Sequence, residues 1–295
     1  MMMLTPQALA AAERYVLLNA RLIDRLRFAH LFRDGSAAAV RSALTAYAND
    51  DGGFGNALEP DLRGSGSQPQ PVEVALRLLD ETTGAGDPFD GPIVQAVCGY
   101  LARIRTSDGG VPFVLPSVRE TPAAPWWQTP DDPPGDLNPT AAIVGLLHKH
   151  GVSNDFVDTA TRFCWNRIDA LTETNPYLAM AVLTFLDHVP DPARAEAAFD
   201  RLSPLIVANV EFDPHAAGEV HLPLDLAPHP DGFARRLFVD DVVAEHLDAL
   251  VRGQSEDGSW GFNWPAWTPV VQYEWGGYVT VSRLRTLRDY GRIAS

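Results

Sequence analysis

The chain has 295 residues, of which 46% are hydrophobic and 21% charged, and its formal net charge at pH 7 is −15. This composition supplies enough apolar material for a folded core and differs from that of disordered chains. So acidic a surface repels nucleic-acid phosphates and anionic lipid headgroups, which excludes nucleic acid as a main partner.

Two cysteines, Cys98 and Cys164, are too few for a disulfide framework or a thiolate zinc site. The N-terminal segment lacks the basic and apolar regions of a signal peptide. No stretch reaches the roughly 18 apolar residues that a membrane span needs. We therefore expect a soluble cytoplasmic protein without integral membrane association, and we expect neither a metal nor a cofactor. The sequence does not specify the oligomeric state.

Helical periodicity dominates the chain, and convincing strands are absent. Helices are predicted, in chain order, over Pro6–Phe32 with one break, Ser36–Ala48, Pro71–Glu81, Pro92–Arg105, Pro139–His150, Asn154–Leu171, Pro176–Val189, Pro192–Ala208, Val239–Arg252 and Tyr278–Tyr290. Asn138, Asn175 and Asp191 each precede a proline, and this pattern predicts an N-cap residue followed by Pro at the first helical position.

The predicted helices differ in amphipathicity. Those after Asn138 and Asn175 are apolar on most faces, whereas the helix after Pro192 carries more charge. Because apolar helices alternate with amphipathic ones, we expect an inner layer of helices wrapped by an outer layer.

An Asp-Gly turn recurs along the chain, at Asp51-Gly52, Asp108-Gly109 and Asp257-Gly258. Each copy follows a predicted outer helix, and an apolar anchor follows each turn: Phe54, Val111 and Trp260. We expect the glycine to end its helix at a left-handed C-cap. The spacing of the copies fits a repeat of about 50 residues.

The segment from Gln254 to Trp260 resembles the QW repeat of squalene-hopene cyclases, and the two earlier turns resemble degenerate copies. The resemblance to the superfamily of terpenoid cyclases and protein prenyltransferases covers most of the chain as a pattern, and only this motif is specific. It implies an all-α fold, a single α/α-toroid domain over residues 1–295 with about five to six inner and outer helix pairs.

The chemistry of that superfamily does not carry over motif by motif. The catalytic DxDD motif is missing, and its nearest approximations, Asp240-Asp241 and Asp50-Asp51, lack the first Asp. We expect the former pair to cap the helix from Val239. The DDxxD motif is absent, and neither cysteine has an Asp at the spacing of the prenyltransferase zinc site.

The segment that follows the first turn contains Glu59, Asp61 and Arg63 just before a predicted inner helix. In an extended stretch these three side chains point the same way. Two close carboxyl groups can divide the roles of acid and base, with Arg63 holding one ionised. The alternative is a surface loop pinned by ion pairs.

Aromatic residues concentrate in two of three segments that interrupt the repeat, Val114–Leu137 and Phe262–Gly277. Long insertions in compact domains are commonly functional, and indole faces stabilise cations or stack on sugars. The predicted ligand-binding aromatics are Trp126, Trp127, Trp264, Trp267 and Tyr273. Several could equally be core anchors.

The third segment, Phe212–Arg235, holds His215, His221 and His229, whose spacing fits no compact metal chelate. Hydrogen bonding is the more natural role, and His229 remains a candidate substrate-binding residue, as do Asn138, Asn175 and Asp240. Glu274 precedes the last predicted inner helix. Since a closed ring brings its first and last units together, Glu274 is expected beside Glu59 and Asp61, and one crowded carboxyl group is expected to have a raised pKa.

The sequence therefore favours a terpene-cyclase-like enzyme that acts on an isoprenoid-like or other apolar small molecule, with Glu59, Asp61 and Glu274 as catalytic candidates. Fold does not fix function, so two alternatives stay open. One is a carbohydrate-active α/α-barrel enzyme with paired carboxylates, and the other is a non-catalytic toroid that binds a small molecule.

Overall fold

The computed structural model describes residues 1–84, 89 and 91–294. Within these residues the chain forms thirteen α-helices and one two-stranded ladder. Helices α1 to α7 run over Pro6–Asn19, Leu22–Phe32, Ala37–Leu44, Pro69–Glu81, Pro92–Ile104, Leu137–Lys149 and Asp155–Asp169. Helices α8 to α13 run over Pro176–His188, Pro192–Val207, Pro223–Leu226, Gly232–Arg236, Asp240–Arg252 and Pro269–Asp289. The all-α class is confirmed.

The chain divides into two compact units. The first consists of Met1–Val40 and Val207–Ser295, and the second of Arg41–Ile206. In the first unit α13 packs against α1, α2 and α12. Leu4 pairs with Ile293 in a parallel bridge, which joins segments from the two ends of the chain.

Helix α6 forms the centre of the second unit, where it packs against α4, α7 and α8. It is buried at every position from Pro139 to Leu147, as its apolar sequence predicts for an inner helix. Gly145 lets α8 approach closely, because a Cβ atom at this position would lie 2.4 Å from the Thr184 carbonyl oxygen.

The three Asp-Gly turns share one backbone geometry. In each, an amide donates to the carbonyl oxygen four residues later, and the turn glycine donates back to the first residue. The turn glycines have positive φ angles of 82°, 98° and 92° at Gly52, Gly109 and Gly258. A Cβ atom on any of them would collide with the backbone of a neighbouring helix, α5, α7 and α1 respectively. The recurring Asp-Gly turn is therefore present in both units.

The role expected for these glycines is wrong in one respect. Helices α5 and α12 end at Ile104 and Arg252, several residues before Gly109 and Gly258. The glycines therefore form a separate turn that docks on the next helix instead of capping the preceding one.

The anchors that follow the turns are buried, and two of them bond to a central helix of their unit. The Val111 amide donates to Thr140 Oγ1 in α6 at 2.9 Å, and the Trp260 amide donates to Thr280 Oγ1 in α13 at 3.1 Å. Gln254 Nε2 donates to the Ala8 carbonyl oxygen at 2.8 Å, which ties the segment after α12 to α1.

Two of the three predicted N-caps are confirmed. Asn175 Oδ1 accepts from the Leu178 amide at 3.0 Å, and Asp191 Oδ1 accepts from the Arg194 amide at 3.2 Å. The third is wrong, because Asp136 caps α6 while Asn138 lies inside the helix with a non-helical backbone.

The largest error in predicted boundaries concerns the last helix. Helix α13 begins at Pro269, with Thr268 as N-cap, and not at Tyr278. The aromatic residues near its start obscured the helical periodicity of the sequence, so this segment was predicted to be an irregular loop. Glu274 therefore lies within α13 instead of preceding it. The segment Phe212–Arg235 contains the two short helices α10 and α11.

One short ladder was also missed. Strands β1, Val111–Pro112, and β2, Gly135–Asp136, pair antiparallel and bring the two ends of the Val114–Leu137 segment together. At two residues each, they are too short for an alternating pattern to be read.

Candidate functional site

The loop that carries Glu59 and Asp61 has an unusual backbone. Asn56 and Ala57 both have positive φ angles, 56° and 62°, which alanine rarely adopts. The Leu62 amide donates to the Glu59 carbonyl oxygen at 3.0 Å, so Glu59 to Leu62 form a turn. The expectation of an extended stretch with aligned side chains is therefore wrong here.

Both carboxylates in this turn are buried. Glu59 is 6% exposed and Asp61 is 3% exposed, and each makes polar interactions. Burying a charge is costly unless it is compensated, so structural loops rarely enclose two carboxylates so close in sequence. The two carboxylates therefore do not lie on an exposed surface loop, while a structural role in which ion pairs pin the loop stays an alternative.

A second loop, which contains Pro122 and Ala124, holds this turn through backbone hydrogen bonds. The Arg63 amide donates to the Pro122 carbonyl oxygen at 3.1 Å, and the Ala124 amide donates to the Asp61 carbonyl oxygen at 2.9 Å. The Arg63 side chain is half-buried and donates to the Pro60 carbonyl oxygen at 3.3 Å. Backbone bonds on both sides of Leu62 thus hold the loop in position.

The adjacent tryptophans Trp126 and Trp127 have different environments. Trp126 is 42% exposed. Trp127 is half-buried, stacks on Phe113 with 5.0 Å between ring centroids, and packs on the cluster of Leu62, Val114 and Val118. Trp127 therefore anchors the second loop, which is the core role that the sequence left open.

Gln68, at the N-cap position of α4, links the two loops through its side chain. Its Oε1 accepts from the Leu115 amide at 2.7 Å, and its Nε2 donates to Ser117 Oγ at 2.9 Å. Next to it, Gln70 Nε2 donates to Asn138 Oδ1 at 3.4 Å. Neither glutamine was predicted, since no local pattern reveals partners that lie 47 to 68 residues away.

A cavity of about 220 Å³ opens between these loops. Its wall consists of Gly55, Leu62, Gly64, Ser65, Gly66, Gln68, Pro71, Ser117, Val118, Glu120 and Thr121. Of the predicted site residues, none lines this cavity, although Asp61 and Arg63 flank Leu62 in sequence.

In the first unit, Trp264 is the predicted aromatic that takes part in a chain of ring contacts. Trp264 meets Phe262 at 4.7 Å and Trp275 at 5.1 Å between centroids, and Trp275 meets Tyr278 at 5.5 Å. Trp267 is half-buried, whereas Tyr273 is 52% exposed. Glu274 is half-buried in α13. Its expected position beside Glu59 and Asp61 stays a prediction.

A buried ion cluster in α2 adjoins the aromatic chain. Asp24 is fully buried and accepts from Arg21 Nε at 2.8 Å and from Arg27 NH1 at 3.1 Å. The Arg27 guanidinium lies 4.7 Å from the centroid of Tyr278. Sequence reasoning missed this cluster because charged residues three apart on a helix usually form an exposed pair.

Three other candidate site residues take part in hydrogen bonds or ion pairs of the fold. His229 Nδ1 bonds to Asp289 Oδ2 at 2.8 Å. Burial raises the pKa of Asp289, but the bonds from His229 and Arg288 outweigh it and lower that pKa overall. Asp240 is wrong as a cavity residue, since its side chain is 94% exposed and pairs with Arg235. Asn175 is exposed and caps α8.

Among the described residues, no three His, Cys, Asp or Glu side chains are grouped as metal ligands. None of the described helices combines the length and hydrophobicity needed to cross a membrane.

Burial raises the pKa of Asp136, and this effect exceeds that of the hydrogen bond from the Asn138 amide, which lowers the pKa.

No protein-family model matches this chain, and no curated protein sequence is significantly similar to it.

Proposed function

We propose that this protein is an enzyme with an α/α-toroid domain that transfers a proton from Glu59 or Asp61 to an uncharged small molecule. The observation that carries the proposal is the burial of both carboxyl groups in a turn held by a second loop. Functional sites, more than structural ones, retain enclosed titratable groups on unusual backbone.

The toroid is supported by the order of the helices and by the shared turn. Each Asp-Gly turn docks on the backbone of a neighbouring helix, and the apolar anchor after two of the turns bonds to a central helix. Repetition of one such unit along a chain is how layered helical rings are built.

The proposed substrate is isoprenoid-like, and the proposed reaction is a rearrangement or elimination started by protonation. The stacked rings of Phe113 and Trp127, which pack on Leu62 next to Asp61 in the chain, support an apolar substrate, because aromatic faces stabilise a developing cation. The carboxyl group donates its proton to the substrate double bond and receives a proton back when the product forms.

A second candidate is a carbohydrate-active enzyme that uses the same two carboxyl groups as acid and base. The 220 Å³ cavity has a polar wall with two serines, a threonine, a glutamine and a glutamate, which favours sugar binding beside the loop that carries the two carboxyl groups, although neither of them lines the cavity. If no turnover is found, the remaining interpretation is a non-catalytic toroid that binds a small molecule.

The test is to screen isoprenoid and oligosaccharide libraries by mass spectrometry with wild type, Glu59→Gln and Asp61→Asn. Glu173→Gln, an exposed carboxylate of the same unit, is the matched control. We expect turnover in wild type and the control, and a loss of at least about 100-fold in one of the two site variants. Turnover that survives both substitutions, in variants that keep the wild-type unfolding midpoint, contradicts the assignment.

A further inference from the structure

The cavity in the second unit has one wall made by a glycine-rich loop. A Cβ atom at Gly55 would lie 2.4 Å from the Gly66 carbonyl oxygen, and one at Gly64 would lie 2.4 Å from Thr121 Oγ1. These two glycines therefore allow the close approach that shapes the wall. At Gly66 a Cβ atom would meet nothing within 4 Å, so this residue borders open space.

Apolar residues form another part of the wall. Leu62 and Val118 are both 3% exposed, and they pack together with Val114 in a cluster that Trp127 covers. Since Gln68 also joins the loop to Ser117, the cavity is held by packing and by hydrogen bonds at once. Such a wall is formed before a ligand arrives.

The polar groups at the cavity are uncharged except for one. Ser117 Oγ accepts from Gln68, which leaves its own hydrogen available. No described residue bonds to the hydroxyl groups of Ser65 and Thr121, or to the backbone amides of Ser65 and Gly66. The Glu120 carboxylate is exposed, and no lysine or arginine lines the cavity.

From this we infer that the cavity binds a small, uncharged, polyhydroxylated molecule of monosaccharide size. The volume of about 220 Å³ equals that of about seven water molecules. Hydroxyl groups both donate and accept, which matches free amides, serine and threonine hydroxyls and a carboxylate. The single negative charge on the wall disfavours anions, and Leu62 and Val118 fit the apolar face of a sugar ring.

This inference deepens the carbohydrate candidate of the proposed function, since both rest on the same cavity, but it does not require that Glu59 or Asp61 is catalytic. Binding is measured without turnover, so inactivity of the carboxyl groups of Glu59 and Asp61 leaves it standing. Conversely, an isoprenoid substrate turned over by those groups is compatible with a polyol bound here.

The experiment is a titration of the protein with D-glucose or myo-inositol, in which ligand-observed NMR measures binding. Inorganic phosphate is the anionic comparison. We expect saturable binding of at least one polyol, with a dissociation constant in about the millimolar range, and none of phosphate. Tighter binding of phosphate than of both polyols, or no saturable polyol binding, overturns the inference.

Two variants locate the binding. Gly66→Leu adds a side chain at the open edge of the cavity, and Thr121→Val removes a hydroxyl while keeping its shape. We expect each to weaken polyol binding by about tenfold or more. Gly99→Leu, at a glycine of α5 where a Cβ atom has ordinary clearance, is the matched control. If all three variants bind like wild type and keep its unfolding midpoint, the polyol does not occupy this cavity.

Discussion

The indole Nε1 of Trp260 donates a hydrogen bond to the Leu250 carbonyl oxygen at 2.8 Å. Leu250 lies in the last turn of α12, whose final carbonyl groups have no partner within the helix. Trp260 is 3% exposed, so its ring packs in the core while its N–H group pairs with one of the carbonyl oxygens at the end of α12.

Trp260→Ala should therefore lower the free energy of unfolding by about 3–5 kcal/mol. Chemical denaturation measures this value, and Trp260→Phe, which keeps a buried ring without the N–H, should fall between the alanine variant and wild type. The exposed Trp126→Ala is the control and should change stability by no more than about 0.5 kcal/mol. Equal values for Trp260→Ala and Trp126→Ala would show that Trp260 is not an anchor.

Two glycine substitutions distinguish the stability cost of a steric collision at a docked turn from the cost of a left-handed backbone. Gly109 and Gly151 both have positive φ angles, 98° and 69°. A Cβ atom at Gly109 would lie 2.7 Å from Thr159 Cγ2, while one at Gly151 would meet nothing within 4 Å. Gly151→Ala should cost about 1–2 kcal/mol from its left-handed backbone alone.

Gly109→Ala adds the collision and should cost at least about 1 kcal/mol more than Gly151→Ala. Both unfolding free energies come from the same denaturant titration. A smaller loss for Gly109→Ala would mean that the turn does not dock tightly on α7.

The buried ion cluster of α2 should respond far more strongly to mutation than an exposed ion pair. Asp24→Ala leaves Arg21 and Arg27 without this fully buried carboxylate, and we expect a loss of about 3–5 kcal/mol. Asp240→Ala removes a partner of Arg235 whose side chain is 94% exposed, with an expected loss of about 0–1 kcal/mol. Similar losses in the two variants would refute the contrast between buried and exposed pairs.

The C-terminal ends of α6 and α8 should make stability depend on pH. Burial lowers the pKa of His188 below its usual value of 6.5, and the neighbouring Lys149 and His150 add to the effect while Asp80 opposes it. The unfolded chain therefore takes up a proton at higher pH than the folded one. The contribution of this histidine is fully present above about pH 6.5, and stability falls as the pH drops below that value.

His188→Gln should therefore reduce the fall in stability between about pH 7 and pH 5, by up to about 1.4 kcal/mol per pH unit. His215→Gln, at an exposed histidine, serves as control and should reproduce the wild-type slope. Identical slopes in wild type and His188→Gln would contradict the role of His188. The unfolding midpoint measured at several pH values checks this.

Helix positions could be predicted because their signals are local. Pro92, Pro176 and Pro192 all start helices where the sequence places them. The Asp-Gly turns were recognised as a repeat, although their docking on the backbone of another helix was not, since a sequence shows the glycine but not its neighbour. The start of α13 was missed because its aromatic side chains mask the apolar stripe.

The candidate site was only partly predictable. The choice of Glu59 and Asp61 came from their place before an inner helix, whereas their burial depends on a second loop that is distant in sequence. Asp24 carries no sequence signal of burial, because a helix that pairs it with Arg21 and Arg27 looks like a solvated surface. The toroid and the position of Glu274 stay predictions.

The bridge between Leu4 and Ile293 has a consequence for how the protein is made. Its partners are 289 positions apart in the chain, so α1 and α2 must wait for the synthesis of α13 before their unit can close. The unit of Arg41–Ile206 is contiguous and can fold while the rest of the chain is still being translated. During that interval the newly made N-terminal helices expose apolar side chains such as Val16 and Ile23, and they are then the part of the nascent chain on which a chaperone would act.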